Sequence, residues 1–301
     1  MIVLPSAKYF SSVPSVAEIA TFGTKRSSGT FGAISSAYAA TTTGYLTVKW
    51  WDGTTVVSGT GNPNNTMVFS KSVVSPYNTA DEKRFSIYSS DSAGNIIGHI
   101  TAINFTGYTR SPISYIDHSS LSKLDRFYCD AGPTLTSYKH NGRLSYLALL
   151  FTGLTTLDIS NGGRLQFLEL SYNTSLTSIE GLSSHKSLLY FSGRDSGFTS
   201  LDFSGLLNLY HIDLALCTSL TSLRAVDVAL FSYSYTSSYH FVGGARLIES
   251  GLSAAAMDQF FTDLASADGY INIYCSAGVP SVDASIATNK GYTVIGNVPC
   301  I

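Results

Sequence analysis

The chain has 301 residues, 44% hydrophobic and 13% charged, with a formal net charge of -2. So few lysines and arginines exclude the electrostatic footprint of a nucleic-acid binder, and no apolar run reaches the ~18–20 residues of a membrane-spanning helix. The length fits one long or two ordinary domains at about 100–200 residues each. The uncharged, Ser- and Thr-rich composition with its 19 tyrosines suits a protein that works outside cells, yet Met1-Ile-Val-Leu-Pro5 has no basic segment ahead of its apolar residues and does not read as a secretion signal.

Residues 1–40, rich in Ser, Ala, Thr and Gly without a sustained period, read as an N-terminal attachment arm, loosely ordered until a partner surface orders it. Residues 41–98 alternate in strand fashion. Tyr45-Leu-Thr-Val-Lys-Trp50-Trp51, the turn Asp52-Gly53 and Thr54-Thr-Val-Val57 predict a hairpin. Met67–Phe69 and Phe85–Tyr88 supply further strands, so this part is expected to be an all-β domain.

From 99 to 250 the chain repeats. Leu165-Gln-Phe-Leu168-Glu-Leu170-Ser-Tyr-Asn173 matches L-x-x-L-x-L-x-x-N in full. Related segments begin at Ile100, Leu124, Leu144, Leu188, Leu209 and Leu230, and successive starts are 20 to 24 residues apart, inside the range of leucine-rich repeats. A second series, Leu154-Thr-Thr-Leu157, Leu176-Thr-Ser-Ile179, Phe198-Thr-Ser-Leu201 and Leu220-Thr-Ser-Leu223, recurs every 22 residues. Side chains alternate across a strand, so positions four and six of each coil point into a shared core and positions three and five point out. Cys129 falls on a core position six and reads as a packing residue; Cys217, Cys275 and Cys300 form no paired motif with it and also read as free thiols.

Residues 251–301 read as a C-terminal α/β cap. Ser253 is a candidate N-cap for a helix whose Met257, Phe260, Phe261 and Leu264 share one face. A strand over Tyr270–Tyr274, a short helix from Asp283 to Lys290 and a last strand over Gly291–Ile295 complete it. The predicted fold is mainly β: an N-terminal β-sandwich-like domain, then a leucine-rich-repeat solenoid, then the cap.

These motifs carry a resemblance. The interleaved L-T-x-L and L-x-x-L-x-x-S-x-N segments over about 100–250 resemble bacterial and phage leucine-rich repeats, and Trp50-Trp51-Asp-Gly-Thr-Thr resembles the W-G-D-G-T of PKD-type, immunoglobulin-like sandwiches, with Trp51 in place of the first glycine. The short helix leading into Gly291-Tyr-Thr-Val resembles the ending of phage leucine-rich proteins. The resemblance implies a phage virion structural protein, made in the host cytoplasm and released by lysis, that decorates the capsid or sits on the tail. It implies other virion proteins as partners, several copies as a homo-oligomer and no cofactor.

The candidate site is the outward face of the repeats. Position three reads Ala102, Arg126, Tyr146, Phe167, Tyr190, His211 and Ser232 along the coils, and position five reads Asn104, Tyr128, Ala148, Glu169, Ser192, Asp213 and Ser234. With strands ~4.8 Å apart, Tyr146, Phe167, Tyr190 and His211 form an outward aromatic stripe about 15 Å long, and contiguous exposed apolar area marks a contact surface. The binding set is therefore Arg126, Tyr128, Tyr146, Phe167, Glu169, Tyr190, His211 and Asp213, facing either a cell-surface polysaccharide stacked on the rings or a neighbouring virion protein. Glu169 and Asp213 read as solvated acids. Their backbones, about 10 Å apart, leave a glycosidase-like pair geometrically open, but no insertion is visible that would bury either. The six histidines make no metal spacing, and no P-loop or G-x-S-x-G is present. The expectation is a non-enzymatic protein without a metal, with a bacterial adhesion module and a glycan depolymerase as alternatives.

Overall fold

The computed structural model describes residues 18–24, 33–50, 52–60, 62, 67–72, 83–105, 113–130, 132–231, 244–274, 276 and 281–296. The calls on residues 1–17, Trp51, Ser232, Ser234, Cys275 and Cys300 lie outside them. The described part is mainly β, and its larger half is a parallel solenoid.

The first six strands are β1 (Ala20–Thr24), β2 (Ala33–Thr41), β3 (Tyr45–Lys49), β4 (Thr55–Gly59), β5 (Met67–Ser72) and β6 (Lys83–Ser89). The expected hairpin is β3–β4, with Val48 opposite Val56. Asp52 Oδ1 accepts from the Thr54 amide at 3.0 Å, and Gly53 turns the chain at φ 83°. The next strands are β7 (Ile100–Phe105), β8 (Ile113–Asp117), β9 (Arg126–Asp130), β10 (Ser137–Lys139) and β11 (Tyr146–Leu150). One sheet has the order β10-β8-β1-β6-β3-β4.

Two stretches of the expected arm are thus strands. β1 is an interior strand, antiparallel to both β6 and β8, and Ala20 and Phe22 are fully buried. The composition hides this because β1 is short and its partners lie at Lys83–Ser89 and Ile113–Asp117, far along the chain. Phe22 packs on Phe85 at 5.1 Å and on Phe105 at 4.9 Å between ring centroids, and Trp50 on Phe85 at 5.1 Å. Phe105 belongs to β7, the first strand of the repeat ladder, so one aromatic core joins the two sheets.

The ladder continues through β13 (Phe167–Glu169), β15 (Tyr190–Ser192), β17 (His211–Asp213), β19 (Gly244–Arg246), β20 (Tyr270–Asn272) and β21 (Thr293–Ile295). Nine strands from β7 to β21 run parallel, and β2 and β5 extend the sheet antiparallel beyond β7. Position four aligns Ile103, Phe127, Leu147, Leu168, Phe191, Ile212, Ala245 and Ile271 in one buried row. Cys129 is buried at position six as expected, and burial pushes its thiol pKa well up. Gly193 departs from the apolar pattern there because a Cβ would sit 2.6 Å from Cε2 of Phe198.

One coil differs from the sequence reading. The strand beside β17 is β19, with Gly244 opposite His211 and Arg246 opposite Asp213, a segment the repeat pattern does not place on the ladder; Ser232 and Ser234 lie outside the described residues. Ala245 and Leu247 turn inward without a polar atom and are buried. Leu230 is buried and remains a core residue.

The L-T-x-L series forms the opposite side as β12 (Thr156–Asp158), β14 (Ser178–Glu180), β16 (Ser200–Asp202) and β18 (Ser222–Arg224), paired β12–β14 and β16–β18. Beyond the repeats, α1 (Ala254–Asp263) starts at Ser253, whose side chain accepts from the Ala256 amide, and buries Met257, Phe260 and Phe261. It is tied to β18 by Arg224 and Asp263, with Nη2–Oδ1 at 3.1 Å. α2 (Ala284–Thr288) is capped by Asp283.

Six coils leave the ladder at a buried polar or thiol residue in position nine, Thr152, Asn173, Ser196, Cys217, Ser250 and Ser276, while the coil of β9 has Gly132 there. Asn173 Oδ1 accepts from the amide and hydroxyl of Thr152 at 2.6 and 2.7 Å, and its Nδ2 donates to the Leu149 and Leu170 carbonyls at 2.8 and 2.7 Å. Ser196 Oγ donates to Leu170 O at 2.8 Å, and Cys217 Sγ to Gly193 O at 3.0 Å. The preceding position eight is left-handed in five coils, at Phe151, Tyr172, Asp195, Leu216 and Glu249, with φ between 51° and 65°.

Three histidines pack on the other side of the coils. His140 and His185 each accept a backbone N–H at Nδ1, from Gly142 at 3.0 Å and Leu165 at 3.4 Å, and donate from Nε2 to the Asp158 and Ile159 carbonyls. His118 is fully buried between Phe127 and Tyr138. Burial lowers the pKa of all three, His118 to about 3.

Two predictions follow from this packing. Leu168→Ala is expected to cost about 3 kcal/mol and Leu168→Asp to unfold its neighbouring coils; an unchanged denaturation midpoint for Leu168→Asp would mean that the register is wrong. Because folding disfavours the charged form of the three histidines, their contribution to stability is complete above the ordinary value of 6.5 and is lost as pH falls towards the depressed values. The melting temperature is expected to be level between about pH 7 and 8 and to fall between about pH 6 and 4; a level profile down to pH 4 would contradict it.

Candidate functional site

The parallel register brings the residues of positions three and five into two rows. In the first, Tyr146, Phe167, Tyr190 and His211 are consecutive neighbours. Their ring centroids are 6.1, 6.2 and 4.8 Å apart, with interplanar angles of 35°, 34° and 7°. The rings therefore lean on one another along the ladder. The Tyr190 and His211 faces cover each other, so this end of the stripe offers edges rather than open faces, and the expected platform for stacked sugars is not formed there. Arg126 begins the row with an exposed side chain, 3.8 Å from Asp125 Oδ2.

The second row is Asn104, Tyr128, Ala148, Glu169, Ser192, Asp213, Arg246 and Asn272. His211 and Asp213, expected on an exposed face, are both buried, at 1% and 3% exposure. The Tyr190 ring lies flat against His211, and Arg246 from the next coil places Nη1 2.7 Å from Asp213 Oδ2. Asp213 Oδ1 also accepts from the Ala215 amide at 3.1 Å. Asp213 is thus a paired carboxylate rather than a solvated one.

Glu169 is partly buried, which also departs from the solvated reading. Ser171 Oγ donates to its Oε1 at 2.9 Å, and the Ser171 and Ser192 hydroxyls are 2.8 Å apart. Burial raises the Glu169 pKa and the Asp213 charge adds to it, while the two serines oppose the rise. Among the described residues no lysine or arginine makes an ion pair with Glu169. Burial first, and the charges of neighbouring acids after it, raise the phenols of Tyr146 and Tyr190 and take Tyr128 to about 12, so all three stay protonated hydroxyls near neutral pH.

The register thus joins the eight residues in one surface and divides them. Tyr128, Tyr146, Phe167, Glu169 and Tyr190 form its centre, Arg126 an exposed edge, and His211 and Asp213 a buried end. Sequence reasoning missed Arg246 and Ser171, and placed Ser192 at position five without including it in the binding set. Both serines stand at fixed offsets in the repeats, whereas Arg246 lies on a strand that the repeat pattern does not mark. Phe151 and Tyr172, both left-handed, form a second aromatic pair at the rim of the ladder, with rings 4.5 Å apart and 3° from parallel. Among the described residues no three His, Cys, Asp or Glu side chains come together as metal ligands would, and no helix is long and apolar enough to cross a membrane.

No family model, curated protein or solved structure matches the chain.

Arg246→Ala leaves Asp213 buried without its cation. Allowing for the partial exposure of the arginine, the loss is expected to be about 1–3 kcal/mol, and restoring neutrality with the Asp213→Asn, Arg246→Ala pair should recover part of it. Thermal melts of the three variants check this, and equal melting temperatures for the wild type and Arg246→Ala would remove the ion pair from the account.

Proposed function

We propose that the chain is a non-enzymatic recognition protein that presents its ladder face to a neighbouring protein, in several copies, as a structural component of a phage particle mounted on capsid or tail. In this reading the N-terminal strands form an immunoglobulin-like sandwich, the coils are leucine-rich repeats, and α1, β20, α2 and β21 cap the open end. The observation that carries the proposal is the row of partly exposed rings Tyr146, Phe167 and Tyr190, 6.1 and 6.2 Å apart along three coils, contiguous surface of the kind that marks a contact. The Tyr190 face closed off by His211 favours a protein surface over a host polysaccharide, which stacks on open ring faces. The sandwich reading is supported by Phe22 of one sheet packing on Phe105 of the other. The cap reading is supported by the buried helix face and by Tyr292, whose hydroxyl donates to Ala265 O at 2.8 Å and accepts from the Leu230 amide at 3.1 Å. The virion setting rests on composition and on the resemblance of the repeats.

One observation favours a second reading, a glycan depolymerase: Glu169 is biased towards its protonated form while Asp213, two strands away, is held in an ion pair, and divergent environments are how a carboxyl pair divides acid and base roles. The Arg246 contact weighs against it, since Asp213 is not open to a water.

Peptide counting by mass spectrometry on particles purified from the source culture tests the proposal. The chain is expected on them, and a Tyr146→Ala, Phe167→Ala chain is expected to be lost from them. Absence of the wild type from the particles, or equal copy numbers for the two, overturns it. Incubation with a panel of polysaccharides should leave their mass unchanged; a loss of mass abolished by Glu169→Gln would install the depolymerase.

A further inference from the structure

Glu169 is the acid on the ladder face whose charge the described residues leave uncompensated. Asp213 has Arg246 at 2.7 Å, whereas the carboxyl of Glu169 meets hydroxyls: Ser171 directly at 2.9 Å, and Ser192 through the 2.8 Å contact of the two serines. Arg126 lies two strands away, beside Asp125 at 3.8 Å. A carboxylate held in a partly dry place without a cation is a costly arrangement in the free protein, and one that an incoming cation relieves. The surroundings select the cation. The buried Ser171 already donates to Oε1, which leaves one carboxylate oxygen foremost for an incoming donor; a compact ammonium can use it, whereas a planar guanidinium needs both carboxylate oxygens side by side. Phe167, two residues before Glu169 on the same strand and between Tyr146 and Tyr190 across the ladder, offers apolar surface for an alkyl stem.

We propose that Glu169, held in place by the buried Ser171 and Ser192, receives the primary ammonium group of a lysine side chain from the protein partner, its stem lying along Phe167 and the two tyrosines. This rests on the ladder face being the recognition surface and names the chemistry of what it recognises.

The probe is n-butylammonium, the lysine side chain without its backbone, titrated into the full chain by saturation-transfer NMR beside butan-1-ol, n-butylguanidinium and glucosamine. The ammonium is expected to bind about tenfold more tightly than the alcohol and to lose that advantage in Glu169→Gln, which keeps the size of the side chain and removes its charge. The folding of the variant is checked by its melting curve, and Phe167→Leu, which keeps an apolar stem contact, should retain the preference for ammonium over alcohol. Equal binding of ammonium and alcohol, or an unchanged preference in Glu169→Gln, overturns the proposal. Tighter binding of the guanidinium overturns the choice of lysine, and tighter binding of glucosamine overturns the protein partner in favour of an amino sugar. If n-butylammonium fails while the Tyr146→Ala, Phe167→Ala chain is still lost from particles, the ammonium site falls and the recognition surface stands.

Discussion

A coil can be added to this stack only if the backbone that turns away from the ladder strand finds partners for its buried amides and carbonyls. The row at position nine supplies them. Asn173 alone meets four backbone and side-chain groups drawn from its own coil and the one before it, and Ser196 and Cys217 take over carbonyls of the coil preceding each of them. An unmet buried carbonyl or amide costs about 1–3 kcal/mol, so in the coils that carry it this one side chain holds the turn together. It also holds the left-handed residue before it. Phe151, Tyr172 and Leu216 are poor choices for positive φ on their own, and they persist because the flanking hydrogen bonds leave the backbone no other course.

From that fixed turn the surface follows. Because every coil leaves the ladder at the same residue, every strand enters it in the same register, and positions three and five come out in straight rows. Tyr146, Phe167, Tyr190 and His211 are then forced to neighbour one another. The strand spacing is close to the thickness of stacked rings, so the rings lean together, and burial rises along the row until His211 is enclosed. The same geometry treats the two acids differently. Asp213 has a long arginine in the next coil, and Glu169 has serine and alanine beside it. A pair of carboxylates equivalent by spacing becomes one ion pair and one unsatisfied charge, and the second is the group that a partner can complete.

The repeat, its inward positions and the stripe were legible in the chain because each is a local period. Leu165 to Asn173 states the strand, the core pair and the polar turn within nine residues, and 22-residue recurrence of Leu-Thr-x-Leu places the opposite side. β1 was not legible, since Ala20 and Phe22 alternate over too few residues to signal a strand without their distant partners. The strand β19 was hidden for a related reason: Gly244-Ala-Arg246 is too short and too weakly apolar to signal a strand without its partners at His211–Asp213 and Tyr270–Asn272.

The amino-acid sequence by itself therefore determined the parallel solenoid, the buried rows and which side chains share its outward face, because these depend on the alternation of apolar residues and on a polar residue at a fixed offset. Only the tertiary structure decided which of those side chains stay accessible and charged. Whether Asp213 or Glu169 meets an arginine, and whether the rings present faces or edges, depends on residues one coil away in space and some 20 to 33 positions away in sequence, a relation that no local pattern contains.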